Sequence, residues 1–307
     1  MIRVLTNDGL EAAAIENLKA AGVEVVNDHI EQDKLGEALK DFDALVVRSA
    51  TKVTADVLDK AEGGKLKLVV RAGVGVDNID IKHAHDKGVT VKNTPNASSD
   101  SVAELVIGHM FALARFIGIS NCTMREGQWN KKKYEGIELN GKILGIIGMG
   151  RIGRALAKKA DALGMKVIYN DMFGKQENLA YEFLELEELL KTSDFISLHV
   201  PYDKEKGSLI GKDQFDIMKD GVYLINCARG KVVEELALIE ALNSGKVAGA
   251  GIDVFEEEPT KNVKLINNPK VSVTPHIGAA TKEAQERIGD EVVNTIVDFV
   301  ANNLVTA

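Results

Sequence analysis

Short apolar runs alternate with amphipathic stretches along almost the whole chain, which predicts an α/β fold built on parallel strands. The stretches between the runs predict helices, because their apolar positions recur at helical spacing. Two of these helices have terminal signals: Gly22 ends Leu10–Ala21, and Thr54 opens Thr54–Ala61 as an N-cap. The first runs predict the strands Ile2–Thr6, Val23–Val26, Ala44–Val47, Leu66–Val70 and Thr90–Lys92.

A second series of apolar runs begins at Lys142 and predicts the six strands of one doubly wound sheet. Between the two series, apolar positions continue at helical spacing from Ser99 to about Asn121. This stretch predicts one unbroken helix that connects two lobes. The strands of the second series are Ile143–Ile147, Lys166–Tyr169, Phe195–Val200, Val222–Cys227, Ala248–Asp253 and Val271–Thr274.

Composition and charge narrow the class of protein. With 45% hydrophobic and 27% charged residues and a formal net charge of −8, the chain has the balance of a globular protein. The negative charge argues against nucleic acid as a partner, although local cations can still bind a small anion. Asp8, Glu11 and Glu16 interrupt the amino-terminal segment, and no apolar run is long enough to span a membrane. Cys122 and Cys227 are too few for a disulfide framework or a thiolate metal site, so we expect a cytoplasmic protein without a metal.

A glycine motif stands between the first strand of the second series and the helix that follows it. Gly148, Gly150 and Gly153 have the spacing G-x-G-x-x-G, in which the first glycine permits a tight turn and the second lets a pyrophosphate approach the backbone. The third allows the helix to pack closely on the strand, and the helix N-terminus then faces the phosphates. The motif predicts a dinucleotide site.

An acidic residue at the end of the next strand selects the cofactor. Asp171 stands where a carboxylate accepts hydrogen bonds from the ribose diol of an adenosine and repels a 2′-phosphate. No arginine follows it, so NAD is preferred over NADP.

The motif also divides the chain into domains. At 307 residues the chain exceeds what one core usually supports. We expect a Rossmann-type NAD-binding domain over residues 98–281. Residues 1–97 and 282–307 are expected to form a second, smaller flavodoxin-like α/β domain that binds substrate.

Three strand ends of the second series supply residues suited to hydride chemistry. Arg229, Glu258 and His276 each follow a predicted strand, where open α/β sheets bind their ligands. Histidine can take the hydroxyl proton of a secondary alcohol near neutral pH, and an adjacent carboxylate fixes its tautomer. Arginine stays charged and offers a forked donor for a substrate carboxylate.

Each of these residues also has a plainer interpretation. A lone histidine after a strand is often a surface residue, and Arg229 could pair with Glu234. The acidic run Glu256-Glu257-Glu258 leaves three candidates for the carboxylate. The three residue types together, behind a dinucleotide site, favour catalysis.

Segments across nearly the whole length resemble the D-isomer-specific 2-hydroxyacid dehydrogenases. Among them are VVRAGVGVDNIDI, NGKILGIIGMGRIGR, INCARGKVVEE, GIDVFEEEP and TPHIGAAT. Matched residue by residue, the resemblance places the catalytic arginine at Arg229, the histidine at His276 and the glutamate directly before proline, at Glu258. It also implies cofactor contacts at Arg151, Ile152, Val200, Cys227, Ala228, Asp253, Gly278 and Ala279.

The same resemblance bears on the substrate. It suggests Ala72, Gly73 and Val74 as the loop that binds the substrate carboxylate, and Arg48 and Lys52 as the cations that approach a phosphate. The family's implied reaction is therefore the NAD-dependent oxidation of a phosphorylated 2-hydroxy acid. Alternatives are a relative acting on an unphosphorylated acid, such as a glyoxylate/hydroxypyruvate reductase or a D-lactate dehydrogenase, and a dinucleotide-sensing, corepressor-like binding protein.

The resemblance has two further implications. Trp129 lies in a segment similar to one that docks on a neighbouring subunit, so we expect a homodimer or homotetramer. The chain ends at Ala307, where longer family members continue into regulatory domains, so feedback control through such a domain is not expected.

Overall fold

The structure, a computed structural model, describes residues 1–304. It divides into two compact units: one contains residues 1–98 and 279–304, and the other contains Ser99–Gly278.

The first unit is built on a parallel sheet of five described strands with the order β2-β1-β3-β4-β5, which is the flavodoxin-like order. The strands are β1 Arg3–Thr6, β2 Glu24–Val26, β3 Ala44–Val47, β4 Leu68–Arg71 and β5 Thr90–Asn93. The helices are α1 Ala12–Ala20, α2 Gln32–Ala38, α3 Ala55–Lys60, α4 Ile81–Asp86 and the terminal α12 Lys282–Leu304. Thr54 caps α3 as predicted, accepting a hydrogen bond from the N–H of Val57.

Helices cover both faces of this sheet, which is why its central strands are continuously apolar. Consecutive residues of a strand point to opposite faces. Leu5 and Leu45 therefore join the core on one face, while Val4 and Val46 join the other, where Val292 of α12 also packs.

The second unit is a parallel sheet of seven described strands with the order β12-β11-β10-β9-β6-β7-β8. The strands are β6 Ile143–Ile147, β7 Lys166–Asn170, β8 Glu182–Phe183, β9 Phe195–Leu198, β10 Val222–Asn226, β11 Val247–Ile252 and β12 Val271–Val273. The helices are α5 Ser99–Ala114, α6 Ile117–Arg125, α7 Arg151–Ala162, α8 Leu186–Thr192, α9 Lys212–Ile217, α10 Glu235–Ser244 and α11 Val263–Ile266. Two Rossmann-type parallel sheets with flanking helices confirm the predicted α/β class.

The prediction of six strands in the second sheet is wrong by one. β8 is two residues long and pairs only with β7, at the edge of the sheet. A strand this short contains no apolar alternation that a sequence pattern could reveal.

The single long helix predicted from Ser99 to about Asn121 is also wrong. The helix breaks at Phe116, whose φ of 55° is left-handed, and α5 and α6 are bent by 63°. The carbonyl of Ala114 accepts a hydrogen bond from the N–H of Ile137, so a later segment occupies the end of α5. Within residues 1–304, no single helix is long and apolar enough to cross a membrane, although α5 and α6 together satisfy that test by length and composition.

Candidate active site

The glycine turn between β6 and α7 is closely packed at Gly148 and Gly153 and open at Gly150. Gly148 has a φ of 97°, and a Cβ there would lie 2.5 Å from the carbonyl oxygen of His199. A Cβ on Gly153 would collide with the carbonyl of Gly148, whereas one on Gly150 would meet no atom within 4 Å. The backbone at Gly150 therefore borders open space.

The first turn of α7 provides the chemistry for an anion in that space. Gly150 is the N-cap and has no side chain to bind the first N–H groups of the helix. The N–H groups of Arg151, Ile152 and Gly153 have no carbonyl partner within the helix. Together with the positive end of the helix dipole, they fit a pyrophosphate.

Asp171 directly follows β7 beside this turn. Its Oδ2 accepts the N–H of Met149 at 2.7 Å, and its Oδ1 accepts the N–H of Phe173 at 3.0 Å. Because each carboxylate oxygen has further lone pairs, Asp171 can still accept from two ribose hydroxyls.

An imidazole–carboxylate pair lies at the carboxyl edge of the same sheet. The Nδ1 of His276 is 2.7 Å from the Oε2 of Glu258, and the Oε1 of Glu258 accepts the N–H of Phe255 at 3.1 Å. Burial by itself raises the pKa of the Glu258 carboxyl. The hydrogen bonds from His276 and Phe255 and the charge of Arg229 outweigh burial and lower that pKa below its usual value. Glu258 is therefore a carboxylate at neutral pH, and it holds the Nδ1–H tautomer of His276.

The neighbouring glutamates have other partners. Glu256 accepts the N–H of Glu235, and Glu257 pairs with Lys261 on the surface. Among the three residues of the acidic run, only Glu258 contacts His276 in the part of the chain that the structure describes.

The loop that carries His276 wraps around the carboxylate of Asp253. The N–H groups of Ile277 and Gly278 each donate to Asp253 at 2.9 Å, and the Asp253 side chain is buried. His276 itself has a φ of 54°, a left-handed conformation that is uncommon outside glycine. Asp253 thus holds the loop in a bend that turns His276 toward Glu258.

Arg229 reaches the site from the end of β10. The side chain of Asn226 accepts the N–H of Ala228 and donates to the carbonyl of Arg229, which shapes the turn. A Cβ on Gly230 would collide with the carbonyl of Phe255, so this turn packs directly against the segment that leads to Glu258. The tertiary structure therefore brings the three predicted catalytic residues to one end of the sheet.

Other predicted cofactor residues lie around this edge. Val200 follows β9 next to Gly148, and Gly278 packs near Asp253. Cys227 is buried, and burial together with the negative charge of Asp253 raises the pKa of its thiol well above the usual value. It is therefore a neutral packing residue at pH 7. Ala279 begins the segment that leads to α12, and its carbonyl accepts the side chain of Gln285.

The predicted phosphate-binding residues lie in the first unit. Arg48 follows β3, its N–H donates to Asp8 at 2.6 Å, and its carbonyl accepts the side-chain amide of Asn78 at 2.7 Å. The guanidinium has no hydrogen-bond or ion-pair partner among residues 1–304. Lys52 is exposed, and its backbone exchanges two hydrogen bonds with Gln32.

The loop predicted to bind a carboxylate is only partly available. The N–H of Ala72 donates to Val47 and that of Gly73 to Arg71, so these two donors are used within the fold. The N–H of Val74 has no acceptor among the described residues, while its carbonyl accepts the amide of Asn93 at 2.6 Å. Of these three N–H groups, only that of Val74 is left without an acceptor by the described residues.

Four residues of these networks were not predicted from the sequence. Asp8 and Asn78 hold the turn at Arg48, and Thr274 and His109 extend the network of Asp253. Asp8 lies two residues after the end of β1, so its place after a strand was a usable signal. His109 lies on an apolar helix face and carries no local signal.

The fold and the glycine turn define a class: a dinucleotide-binding oxidoreductase with two α/β units. Residues 107–278 match the NAD-binding domain of the D-isomer specific 2-hydroxyacid dehydrogenases, and the chain belongs to this family. The prediction of NAD as cofactor is thereby confirmed.

The similar proteins include enzymes named for unphosphorylated substrates and enzymes named for a phosphorylated substrate. The chain is 48% identical to hydroxypyruvate reductase of Thermotoga maritima over 96% of this chain and 97% of that protein. It is 46% identical to D-3-phosphoglycerate dehydrogenase of Methanocaldococcus jannaschii over 99% of this chain and 58% of that protein, so it spans little more than half of that relative. Among solved structures, D-lactate dehydrogenase from Aquifex aeolicus, complexed with NAD and lactic acid, superimposes with a TM-score of 0.84 at 33% identity, covering 98% of this chain and 96% of that one.

Proposed function

We propose that this chain oxidises D-3-phosphoglycerate to 3-phosphohydroxypyruvate, the first step of serine biosynthesis. The observation that carries the choice of substrate is the guanidinium of Arg48, which has no protein partner among residues 1–304 although its backbone is held on both sides. A cation kept without a partner on a fixed turn suits a phosphate group. The resemblance to D-3-phosphoglycerate dehydrogenase over 99% of this chain supports the same substrate.

The chemistry follows from the residues at the carboxyl edge of the second sheet. NAD, when bound, would supply the acceptor for the hydride that leaves the carbon bearing the hydroxyl group. The Nε2 of His276 takes the hydroxyl proton, because its Nδ1 is already bonded to Glu258. The carboxylate of Glu258 stabilises the imidazolium that results, and Arg229 binds the substrate carboxylate and polarises the forming carbonyl.

The residues of the glycine turn would hold the cofactor. The N–H groups of the first turn of α7 would bind the pyrophosphate, and Asp171 would accept hydrogen bonds from the ribose hydroxyls. In the first unit, the N–H of Val74 supports the substrate carboxylate, and Lys52 adds charge near the phosphate.

A reductase of hydroxypyruvate is the second candidate. It is favoured by the 48% identity to a hydroxypyruvate reductase of nearly the same length. The proposed catalytic residues serve both reactions equally, so only the phosphate-binding residues distinguish them.

Steady-state kinetics with paired substrates test the proposal. We expect kcat/KM for D-3-phosphoglycerate to exceed that for D-glycerate and D-lactate. Removing the Arg48 guanidinium in Arg48→Ala should lower kcat/KM for D-3-phosphoglycerate by about 10- to 100-fold, because a charge-assisted hydrogen bond is lost. The value for D-glycerate should change little.

Lys67→Ala is the matched control, since it removes an exposed cation that precedes β4 at the opposite edge of the same sheet. It should leave both substrates unaffected. Equal rates with and without the substrate phosphate, or an Arg48→Ala loss that is the same for both substrates, would contradict D-3-phosphoglycerate and favour the reductase.

A further inference from the structure

One buried histidine has no part in the proposed reaction. His109 lies in the middle of α5 with 3% of its surface exposed, against β11, where a Cβ on Gly251 would collide with it. Both ring nitrogens nevertheless have partners: Nδ1 lies 2.9 Å from the hydroxyl of Ser272, and Nε2 lies 3.1 Å from the hydroxyl of Thr274. A buried imidazole with two specific partners on one neighbouring segment has a defined orientation.

The directions of these hydrogen bonds follow from the carboxylate of Asp253, which is the last group in the network. The hydroxyl of Thr274 is 2.5 Å from the Oδ1 of Asp253. A carboxylate only accepts, so the single proton of Thr274 points at Asp253, and the Thr274 oxygen must accept from His109. His109 is therefore the neutral tautomer with its proton on Nε2, and Ser272 donates to its Nδ1. Burial lowers the pKa of His109 more than the charge of Asp253 raises it, which keeps the ring neutral.

The network ends on the carboxylate that shapes the loop of His276. Asp253 accepts hydrogen bonds from the hydroxyl of Thr274, which precedes His276, and from the N–H groups of Ile277 and Gly278, which follow it. The orientation of the Thr274 hydroxyl therefore helps to determine the orientation of the Asp253 carboxylate. That carboxylate in turn holds the left-handed bend at His276.

We propose that His109 is a positioning residue for the reaction: through Thr274 and Asp253 it holds the loop that presents His276. This proposal rests on the acid/base role proposed above for His276. His109 touches neither substrate nor cofactor in it. Its contribution is a single donated hydrogen bond that fixes the direction of a chain of three, in which each bond polarises the next.

The tautomer of His109 is a direct test that needs no activity. Nitrogen-15 spectra of the histidine-labelled protein distinguish the two neutral tautomers and the imidazolium, and the spectrum of His109→Gln identifies the signals of His109. We expect the Nε2–H tautomer at pH 7, together with a change in the Nε2 signal in Thr274→Val. A Nδ1–H tautomer or an imidazolium at pH 7 would overturn the proposal.

The kinetics of three single variants and one double variant test the effect of this network on the reaction. His109→Leu and Thr274→Val should each lower kcat by about 3- to 10-fold, the effect of one hydrogen bond, with KM for the 2-hydroxy acid nearly unchanged. His109→Gln should recover most of kcat, since its amide can still donate to Thr274. The double variant should be no slower than either single variant, because both changes break the same network.

Ser193→Ala is the matched control. It removes another buried hydroxyl, which donates to the carbonyl of Leu189 at 2.7 Å, without a link to Asp253. It should leave kcat unchanged. If His109→Gln loses as much kcat as His109→Leu, or if both retain full kcat, the positioning role is wrong.

A failure of this inference can be told apart from a failure of the proposed function. Turnover retained in His276→Ala would overturn the acid/base role itself and with it the purpose of the network. Turnover lost in His276→Ala but unchanged in His109→Leu would overturn the role of His109 alone.

Discussion

The contact between His276 and Glu258 joins two residues that are both partly exposed, so their catalytic value depends on geometry and charge more than on burial. Glu258→Gln keeps an oxygen that can accept the Nδ1–H and removes only the negative charge. We expect kcat to fall by about 10- to 100-fold, because the imidazolium that forms in the reaction loses its counterion. The measurement is kcat with saturating NAD and substrate.

Glu257→Gln is the control for this experiment, since Glu257 pairs with Lys261 on the surface. Its kcat should match that of the unaltered protein. If the two variants lose kcat equally, the choice of Glu258 as the partner of His276 fails.

The burial of one residue, His199, makes the stability of the folded protein depend on pH. Burial lowers the pKa of His199 from 6.5 to about 4 in the folded protein. In the unfolded chain, His199 therefore binds a proton more readily than in the folded protein. The contribution of neutral His199 to the stability of the fold is complete above pH 6.5 and is lost as the pH falls from 6.5 to about 4. At about 1.4 kcal/mol per pKa unit, the loss amounts to about 3 kcal/mol.

Urea unfolding between pH 7.5 and 4 measures this dependence. His199→Gln should lose less stability toward low pH, while His109 continues to contribute in the same direction. The exposed His85 is the control, and His85→Gln should follow the curve of the unaltered protein. Identical curves for His199→Gln and the unaltered protein would contradict the assigned burial effect.

At the scale of elements, the turn from β6 into α7 contains glycines with two different roles: Gly153 permits close packing, and Gly150 leaves space for the cofactor. Gly153→Ala would place a Cβ against the carbonyl of Gly148, so we expect the melting temperature to fall. Gly150→Ala meets open space, so stability should hold while the new methyl group enters the pyrophosphate site. NADH fluorescence titration should show at least a tenfold weaker Kd for Gly150→Ala, with an unchanged melting temperature. Unchanged affinity in Gly150→Ala would place the pyrophosphate elsewhere.

The elements also show how far a sequence pattern reaches. Most strands begin and end within two residues of their predicted bounds, because apolar runs and turn residues are local signals. The break at Phe116 is different: α5 contributes eight buried residues, whereas α6 has none. The helical spacing of apolar residues continues through such a break. The sequence pattern therefore cannot show where the helix leaves the core against which α5 packs.

At the scale of the whole molecule, the exposed apolar surface of α6 and the segment after it points to an assembly. Trp129 is 78% exposed, with Ile117 and Met124 also exposed nearby in sequence. Exposed aromatic and apolar residues of this kind are typical anchors of an interface. We propose that they bind a second copy of the chain.

Sedimentation velocity tests this assembly. Trp129→Glu should shift the protein from an oligomer to a monomer, because it places a charge in an apolar interface. Leu236→Glu changes another exposed apolar residue, on α10, and should leave the assembly intact. A monomer in the unaltered protein would contradict the proposal.

The sequence by itself determined which chemical groups are present and on which local elements they stand: a strand, a glycine turn, a helix, and polar residues after strands. Spacing left three adjacent glutamates open, and the family resemblance selected Glu258. Only the tertiary structure shows the contact of Glu258 with His276 and the link from His109 through Thr274 to Asp253. The first contact joins residues 18 apart in the chain, and the bond from His109 to Thr274 joins residues 165 apart. Periodicity and spacing report on neighbours along the chain, whereas these pairs arise from the packing of separate strands and helices.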